Sequence, residues 1–155
     1  MKYLKGTKNY MLMYRQTDDL EVITYCDSGY VGYIDSRKSK SSYIFKLVNE
    51  AISCRSAKQI LIVTSTMEVE FVSCFEAISY DFVDSISKPL KLYCDNLAAM
   101  FIAKNNKTIR EFIKEKKVIN EHVNTKLMIA DLLTKGMSPK NFKDHMVRMG
   151  LGSIM

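Results

Sequence analysis

The sequence predicts an α/β domain: a mixed sheet of three antiparallel strands followed by parallel strands, with helices on both faces. Three observations carry this expectation. Between residues 21 and 55, short β-forming segments follow one another with only turn residues between them, the pattern of an antiparallel meander. From residue 65 onward, helical-period segments alternate with single strand segments, which calls for parallel strands joined by crossover helices. The tripeptide Tyr-Cys-Asp occurs twice, at 25–27 and at 93–95, each time at the end of a short run of β-forming residues.

The elements follow in order. The opening KYLKGTKNYMLMYR reads as a helix end, a break at Gly6 and a short strand. Glu21 to Asp27 alternates, with Val22, Thr24 and Cys26 on one face and Ile23, Tyr25 and Asp27 on the other. SGYVGYIDSRKSKS, with Gly29 and Gly32, reads as a turn-rich loop. Ser42–Val48 and Ala51–Arg55 are two further strands, split by Asn49-Glu50. Ser65-Thr66-Met67-Glu68 is a capping box opening a helix, in which Met67, Phe71, Cys74, Phe75, Ile78 and Phe82 mark one stripe, read as core packing. Pro89 stops any helix before it, and Leu90–Asp95 is the next strand. Asn96–Lys104 reads as a helix with Leu97, Met100 and Phe101 on one side. Thr108–Lys116 is a short charged helix, Val118–Val123 a strand, and Ile129–Gly136 a helix; Phe142–Met149 forms one more after Pro139.

The totals fit a single domain of 155 residues. Hydrophobic residues at 47% and charged residues at 26% are a globular balance and exclude a disordered chain. The net charge of +6 is compatible with a polyanionic partner. Cys26, Cys54, Cys74 and Cys94 form no C-x-x-C pair, which argues against a zinc site; all four read as small buried apolar groups in a reducing compartment. The first residues contain no apolar signal core, and no apolar run approaches the ~18 residues of a membrane span. The expectation is an intracellular protein without membrane association, in cytoplasm or nucleus.

A carboxylate at the C-terminal end of a strand in an open α/β sheet sits at the mouth of the ligand crevice. Two neighbouring strands ending on aspartate would bring like charges together, and a divalent metal with oxygen ligands is the natural neutraliser. The competing reading is that each aspartate caps the next loop or helix; Asp95-Asn96 ahead of a helix fits that as well.

An ordered series of segments then resembles one family. KYLKGT at 2–7, YCDSGYVGYIDSRKSKSSYIF at 25–45, AISCRSAKQ at 51–59, STMEVEF at 65–71, LYCDN at 92–96 and IADLLTK at 129–135 are similar, in order, to the ribonuclease H (RNase H) domain of copia-type retrotransposon Pol polyproteins. The resemblance implies an RNase H-like fold over residues 19–155, with residues 1–18 a remnant of the connection to a reverse transcriptase domain. It implies a four-carboxylate catalytic and metal site: Asp27, Glu70, Asp95 and Asp131. Glu70 is preferred to Glu68 because Glu68 already serves the capping box. The implied cofactor is a pair of Mg²⁺ (or Mn²⁺) ions. The implied reaction is hydrolysis of the RNA strand of an RNA–DNA hybrid, with the protein sensing the 2′-hydroxyl. Lys104, Lys107, Arg110, Lys114 and Lys117 would contact phosphates, or form a solvated basic helix; Arg37, Lys38 and Lys40 are a second basic spot. His122 and His145 are given structural roles.

The sequence also departs from the family pattern. Gly29 stands where a second acid is usual, Lys40 and Ser42 where threonine and glycine are usual, and Cys54 where tryptophan is usual. Two gaps come after Ser79 and Asn106, so the chain reads as truncated with internal deletions. Two readings therefore stand together: a metal-dependent RNase H, and a catalytically inactive nucleic-acid-binding remnant. A transposase- or integrase-type nuclease is disfavoured, because its glutamate would be expected on a late helix.

Overall fold

A computed structural model describes residues 7–16, 18, 20–33, 38–80, 88–115 and 117–153. Its strands are β1 (Tyr10–Leu12), β2 (Val22–Tyr33), β3 (Lys38–Leu47), β4 (Glu50–Lys58), β5 (Leu90–Cys94), β6 (Val118–His122) and β7 (Leu151–Ser153). Its helices are α1 (Thr66–Ile78), α2 (Leu97–Asn105), α3 (Lys107–Glu115), α4 (Asp131–Thr134) and α5 (Pro139–Arg148), with a 3₁₀ turn at Thr125–Leu127.

The main sheet has the order β4-β3-β2-β5-β6. β2, β3 and β4 are antiparallel, whereas β2–β5 and β5–β6 are parallel. This is the mixed sheet expected. β1 and β7 form a separate antiparallel pair. β7 follows Gly150, whose φ of +85° carries the turn; a Cβ there would meet the Glu50 Cα at 2.9 Å.

Strand alternation gives the sheet two buried faces. Val22, Cys26, Phe45, Leu90, Leu92 and Cys94 pack with Cys74, Ala77 and Ile78 of α1 and with Ala99 and Met100 of α2. On the other face Ile44 packs with Met128, Ile129, Ala130 and Leu133, beside Tyr25 and Tyr93, whose rings stack with centroids 5.2 Å apart. Helices therefore cover both faces. Among the described residues, no helix is long and apolar enough to cross a membrane.

Several boundaries differ from expectation. Residues 28–33 continue β2 rather than forming a loop: Ser28 pairs with Ser41, Gly29 with Lys40 and Tyr33 with Lys38. Cross-strand backbone pairing outweighs the two glycines. The buried face of α1 is Val69, Glu70, Ser73, Cys74, Ala77 and Ile78, while Phe75 is exposed and Met67 and Phe71 are half-buried. Small residues face the sheet because the helix lies close against it: the Ser73 hydroxyl donates to the Asp27 carbonyl at 2.8 Å. Phe82 lies outside the described residues. In α2, Met100 is buried as expected, together with Ala99 and Ala103, whereas Leu97 and Phe101 are exposed. The Ser65 hydroxyl accepts from the Glu68 N–H at 3.2 Å, but the Glu68 carboxylate reaches past Ser65 to the Thr64 N–H, also at 3.2 Å. α4 is a single turn, since Lys135 is already extended. Cys54 is exposed because β4 is an edge strand; the other three cysteines are buried.

Candidate active site

β2 and β5 run parallel in register, with Tyr25 opposite Tyr93. β5 ends at Cys94, one residue before Asp95, whereas β2 runs on past Asp27. Asp27 therefore lies mid-strand, not at a strand end as expected, but it sits just beyond the stretch of β2 that β5 pairs. The two Tyr-Cys-Asp segments thus carry their aspartates to the same edge of the parallel pairing.

Asp27 is 1% exposed. The Thr134 hydroxyl donates to its Oδ2, and the Lys135 ammonium donates to its Oδ1 at 3.2 Å. Burial pushes the Asp27 carboxyl above its ordinary range, the Thr134 and Lys135 contacts pull it back, and the nearby Asp131 charge raises it again.

Glu70 projects from the buried face of α1. Its Oε1 accepts the Ser28 N–H at 3.2 Å, while its Oε2 is buried without a hydrogen-bond partner. Burial, then the charges of Asp27 and Asp95, push its carboxyl up to about 8, against the pull of the Ser28 N–H.

Asp95 follows β5. A carboxylate oxygen of Asp95, one of Glu70 and the Cys94 Sγ all lie within 4.8 Å of one another. Capping of α2 falls to Asn96, whose Oδ1 accepts the N–H groups of Ala98 (3.0 Å) and Ala99 (3.1 Å). The reading of Asp95 as that helix's cap is thereby removed.

Asp131 is the first residue of α4 and is 7% exposed. Lys135, one turn later, donates to its Oδ1 at 2.7 Å. The ammonium thus bridges Asp131 and Asp27. Burial alone would lower the Lys135 pKa, but its bonds to Asp131 and the two negative charges outweigh that and hold it above the ordinary lysine range. The Lys40 ammonium donates to the Leu133 carbonyl, tying α4 to β3, so Lys40 is a strut here rather than part of a free basic spot. Arg37 lies outside the described residues, and Lys38 begins β3.

The four predicted acids are therefore neighbours: Asp131 and Asp27 share Lys135, Asp27 faces Glu70, and Glu70 faces Asp95. Thr134 and Lys135 escape a reading of the sequence, although the i,i+4 spacing of Asp131 and Lys135 on a helix is a detectable signal. Four oxygen donors, a buried carboxylate oxygen with no partner and an ammonium between two aspartates fit a divalent cation.

Lys104, Lys107, Arg110, Lys114 and Lys117 are all exposed, at the end of α2, along α3 and just after it. His122 Nε2 lies 3.2 Å from the Asp95 carbonyl oxygen. His145 is buried in α5 with its Nδ1 unpartnered, and burial lowers its pKa.

No family model matches the chain. By sequence it is 27% identical to the retrovirus-related Pol polyprotein from transposon RE1 of Arabidopsis thaliana, over 99% of the chain and 12% of the polyprotein. It is 34% identical to the secreted RxLR effector protein 161 of Plasmopara viticola, over 50% of the chain and 54% of that protein. By fold it is similar to the N-terminal RNase H domain of Rv2228c from Mycobacterium tuberculosis, with a TM-score of 0.56 at 12% identity, covering 81% of this chain and 96% of that one. The chain spans about an eighth of the length of the polyprotein it matches. It is thus a sequence relative of copia-type, retrovirus-related Pol polyproteins of plant transposons, and it carries a ribonuclease H fold.

Proposed function

We propose that this chain is a metal-dependent RNase H-type nuclease that hydrolyses the RNA strand of an RNA–DNA hybrid. Asp27, Glu70, Asp95 and Asp131 are its catalytic and metal-holding residues. The observation that carries the reading is the buried Glu70 carboxylate beside Asp95, half satisfied by Ser28 and left with its second oxygen unpartnered. A nuclease origin is supported by the fold together with the Pol relatives. Mg²⁺ or Mn²⁺ ions, two of them, would supply acidification of the attacking water and charge neutralisation at the leaving 3′ oxygen.

The chain's own residues do the rest. Ser28 orients Glu70 through its backbone N–H, and Ser73 pins the β2 backbone at Asp27 to α1. Lys135 offsets the Asp27–Asp131 repulsion until a cation takes that role. Residues 19–155 form the nuclease unit, and residues 1–18 continue from a reverse transcriptase domain in a full-length polyprotein. The test is a labelled hybrid with Mg²⁺ and with EDTA. RNA-strand cleavage leaving 3′-hydroxyl ends, abolished by EDTA, is expected; cleavage that survives EDTA or needs a DNA duplex would overturn the reading.

The second reading, a non-catalytic nucleic-acid-binding remnant, is favoured by one feature: the exposed basic series from Lys104 to Lys117 does not depend on the acids. Lys107, Arg110 and Lys114 share one face of α3 by their spacing. Charge reversal at Lys114 and Lys117 is expected to weaken hybrid binding and to lower the salt slope by roughly one for each phosphate no longer neutralised. A binding isotherm across a salt series checks this, and an unchanged slope would leave α3 a solvated face.

A further inference from the structure

Among the carboxylates stands one donor of a different kind. Cys94 closes β5 on the α1 face of the sheet and is 1% exposed. Its sulfur lies within 4.8 Å of a carboxylate oxygen of Glu70 and of one of Asp95. The Asn96 N–H donates to that sulfur at 3.4 Å. Glu70 is 8% exposed, and one of its carboxylate oxygens is buried without a partner. A buried carboxylate oxygen with no partner is costly unless a ligand completes it.

We propose that Cys94, Glu70 and Asp95 form a mixed sulfur–oxygen site that takes a borderline-soft divalent cation of the zinc class in preference to Mg²⁺. The proposal rests on the carboxylate site above and adds to it a ligand and an ion preference. Zinc accepts thiolate and carboxylate together, and three protein ligands leave its fourth position open. Mg²⁺ demands octahedral oxygen coordination, so sulfur contributes nothing to holding it. Bond lengths of about 2.3 Å to sulfur and about 2.0–2.2 Å to oxygen place tetrahedral donor atoms roughly 3.5 Å apart, so donor atoms now within 4.8 Å of one another need to close by up to about 1.3 Å, within reach of side-chain rotation. On binding, the thiol S–H bond breaks, its proton goes to solvent, and the sulfur lone pair goes to the metal; nothing is oxidised or reduced. The Asn96 N–H donates to the resulting thiolate, whereas the neighbouring Cys74 and burial push the Cys94 thiol up, so the metal itself must supply the charge that holds the sulfur deprotonated. Asp27 and Asp131, joined by Lys135, offer oxygen alone. The two halves of the acid cluster therefore differ in ligand softness.

Co²⁺ is the probe, because thiolate coordination gives it a sulfur-to-metal charge-transfer band in the near ultraviolet. The full chain carries Cys54→Ser, since Cys54 is exposed and free to bind Co²⁺ adventitiously. A saturable band is expected that persists in about 100-fold excess Mg²⁺, disappears with Cys94→Ser, and needs at least ~10-fold more Co²⁺ with Asp95→Asn, which keeps the thiol and serves if the cysteine variant does not fold. No band in the parent protein, or an unchanged band in Cys94→Ser, overturns the proposal. So does a band lost with Cys74→Ser but kept with Cys94→Ser, since Cys74 lies within hydrogen-bond reach of both Cys26 and Cys94. Thermal melts separate the two levels: Mg²⁺ stabilisation without a Co²⁺ band leaves the carboxylate reading standing, whereas absence of stabilisation by either ion removes both.

Discussion

In metal-free solution, Glu70→Gln is expected to stabilise the protein at pH 8–9 and to leave it nearly unchanged at pH 5. The Glu70 carboxyl has its folded pKa raised to about 8 by burial and by Asp27 and Asp95, against an unfolded value near 4.5. Between those values the folded state binds the extra proton, so stability falls as pH rises through the window. The whole cost is present above about pH 8 and absent below about pH 4.5. Each unit of that window removes at most about 1.4 kcal/mol, so the effect reaches several kcal/mol. A glutamine side chain carries no charge at any pH, so the variant's pH profile should be flat where the parent's declines, with Asp27 relieved of one neighbour. Saturating Mg²⁺ should reverse the parent's slope, because the metal binds the deprotonated site and binds only the folded state. Urea melts at three pH values, with EDTA and with Mg²⁺, check this. Parallel profiles for the two proteins would show that Glu70 titrates as an ordinary surface carboxylate.

The sheet was legible in the sequence because alternation and connection length decide it. The crowded strands of residues 21–55 permit a meander, and the helical segment from Ser65 permits a parallel return through β5. On the helices the expected stripe holds in part: Cys74, Ile78 and Met100 are buried and Met67 and Phe71 pack against the core, whereas Phe75, Leu97 and Phe101 are exposed. Ser73, Ala77, Ala99 and Ala103 share the contact because the helices lie close to the sheet. The hairpin extension through Gly29 was hidden for a related reason. Glycines signal a turn locally, and only the pairing with residues 38–41 shows otherwise.

The acids were legible as a set through the ordered resemblance, since any one of them alone reads as a cap or a loop carboxylate. Their supporting groups were not. Nothing in the spacing says that Thr134 reaches Asp27 or that Lys40 anchors the Leu133 carbonyl, because those contacts join positions about a hundred residues apart. Cys94 is buried as expected, and only its neighbours were hidden. A buried cysteine reads as an apolar filler, but the register that brings Asp95 to the sheet edge also brings this sulfur to Glu70.

Lys135→Met is expected to lower the melting temperature in EDTA and to lose that penalty as Mg²⁺ rises. Lys135 holds both Asp27, whose side chain is 1% exposed, and Asp131, at 3.2 Å and 2.7 Å. Removing the ammonium leaves two carboxylates facing each other without a countercharge, which costs folding free energy. The Lys135 side chain is 46% exposed, so water recovers part of the loss, and about 1–2 kcal/mol remains. The Lys135 pKa is raised in the folded state, so its contribution is fully present at neutral pH and fades only as pH rises past the lysine range. A divalent cation that binds Asp27 and Asp131 must displace this ammonium. Without it the site is more negative and unobstructed, so Mg²⁺ binds more tightly and its mass-action stabilisation grows faster. The variant should therefore melt below the parent in EDTA, gain more per decade of Mg²⁺, and meet or pass it in the millimolar range. Equal Mg²⁺ shifts in both proteins would mean that the ion never competes with Lys135, and the assignment of Asp27 and Asp131 as metal ligands would fall with that result.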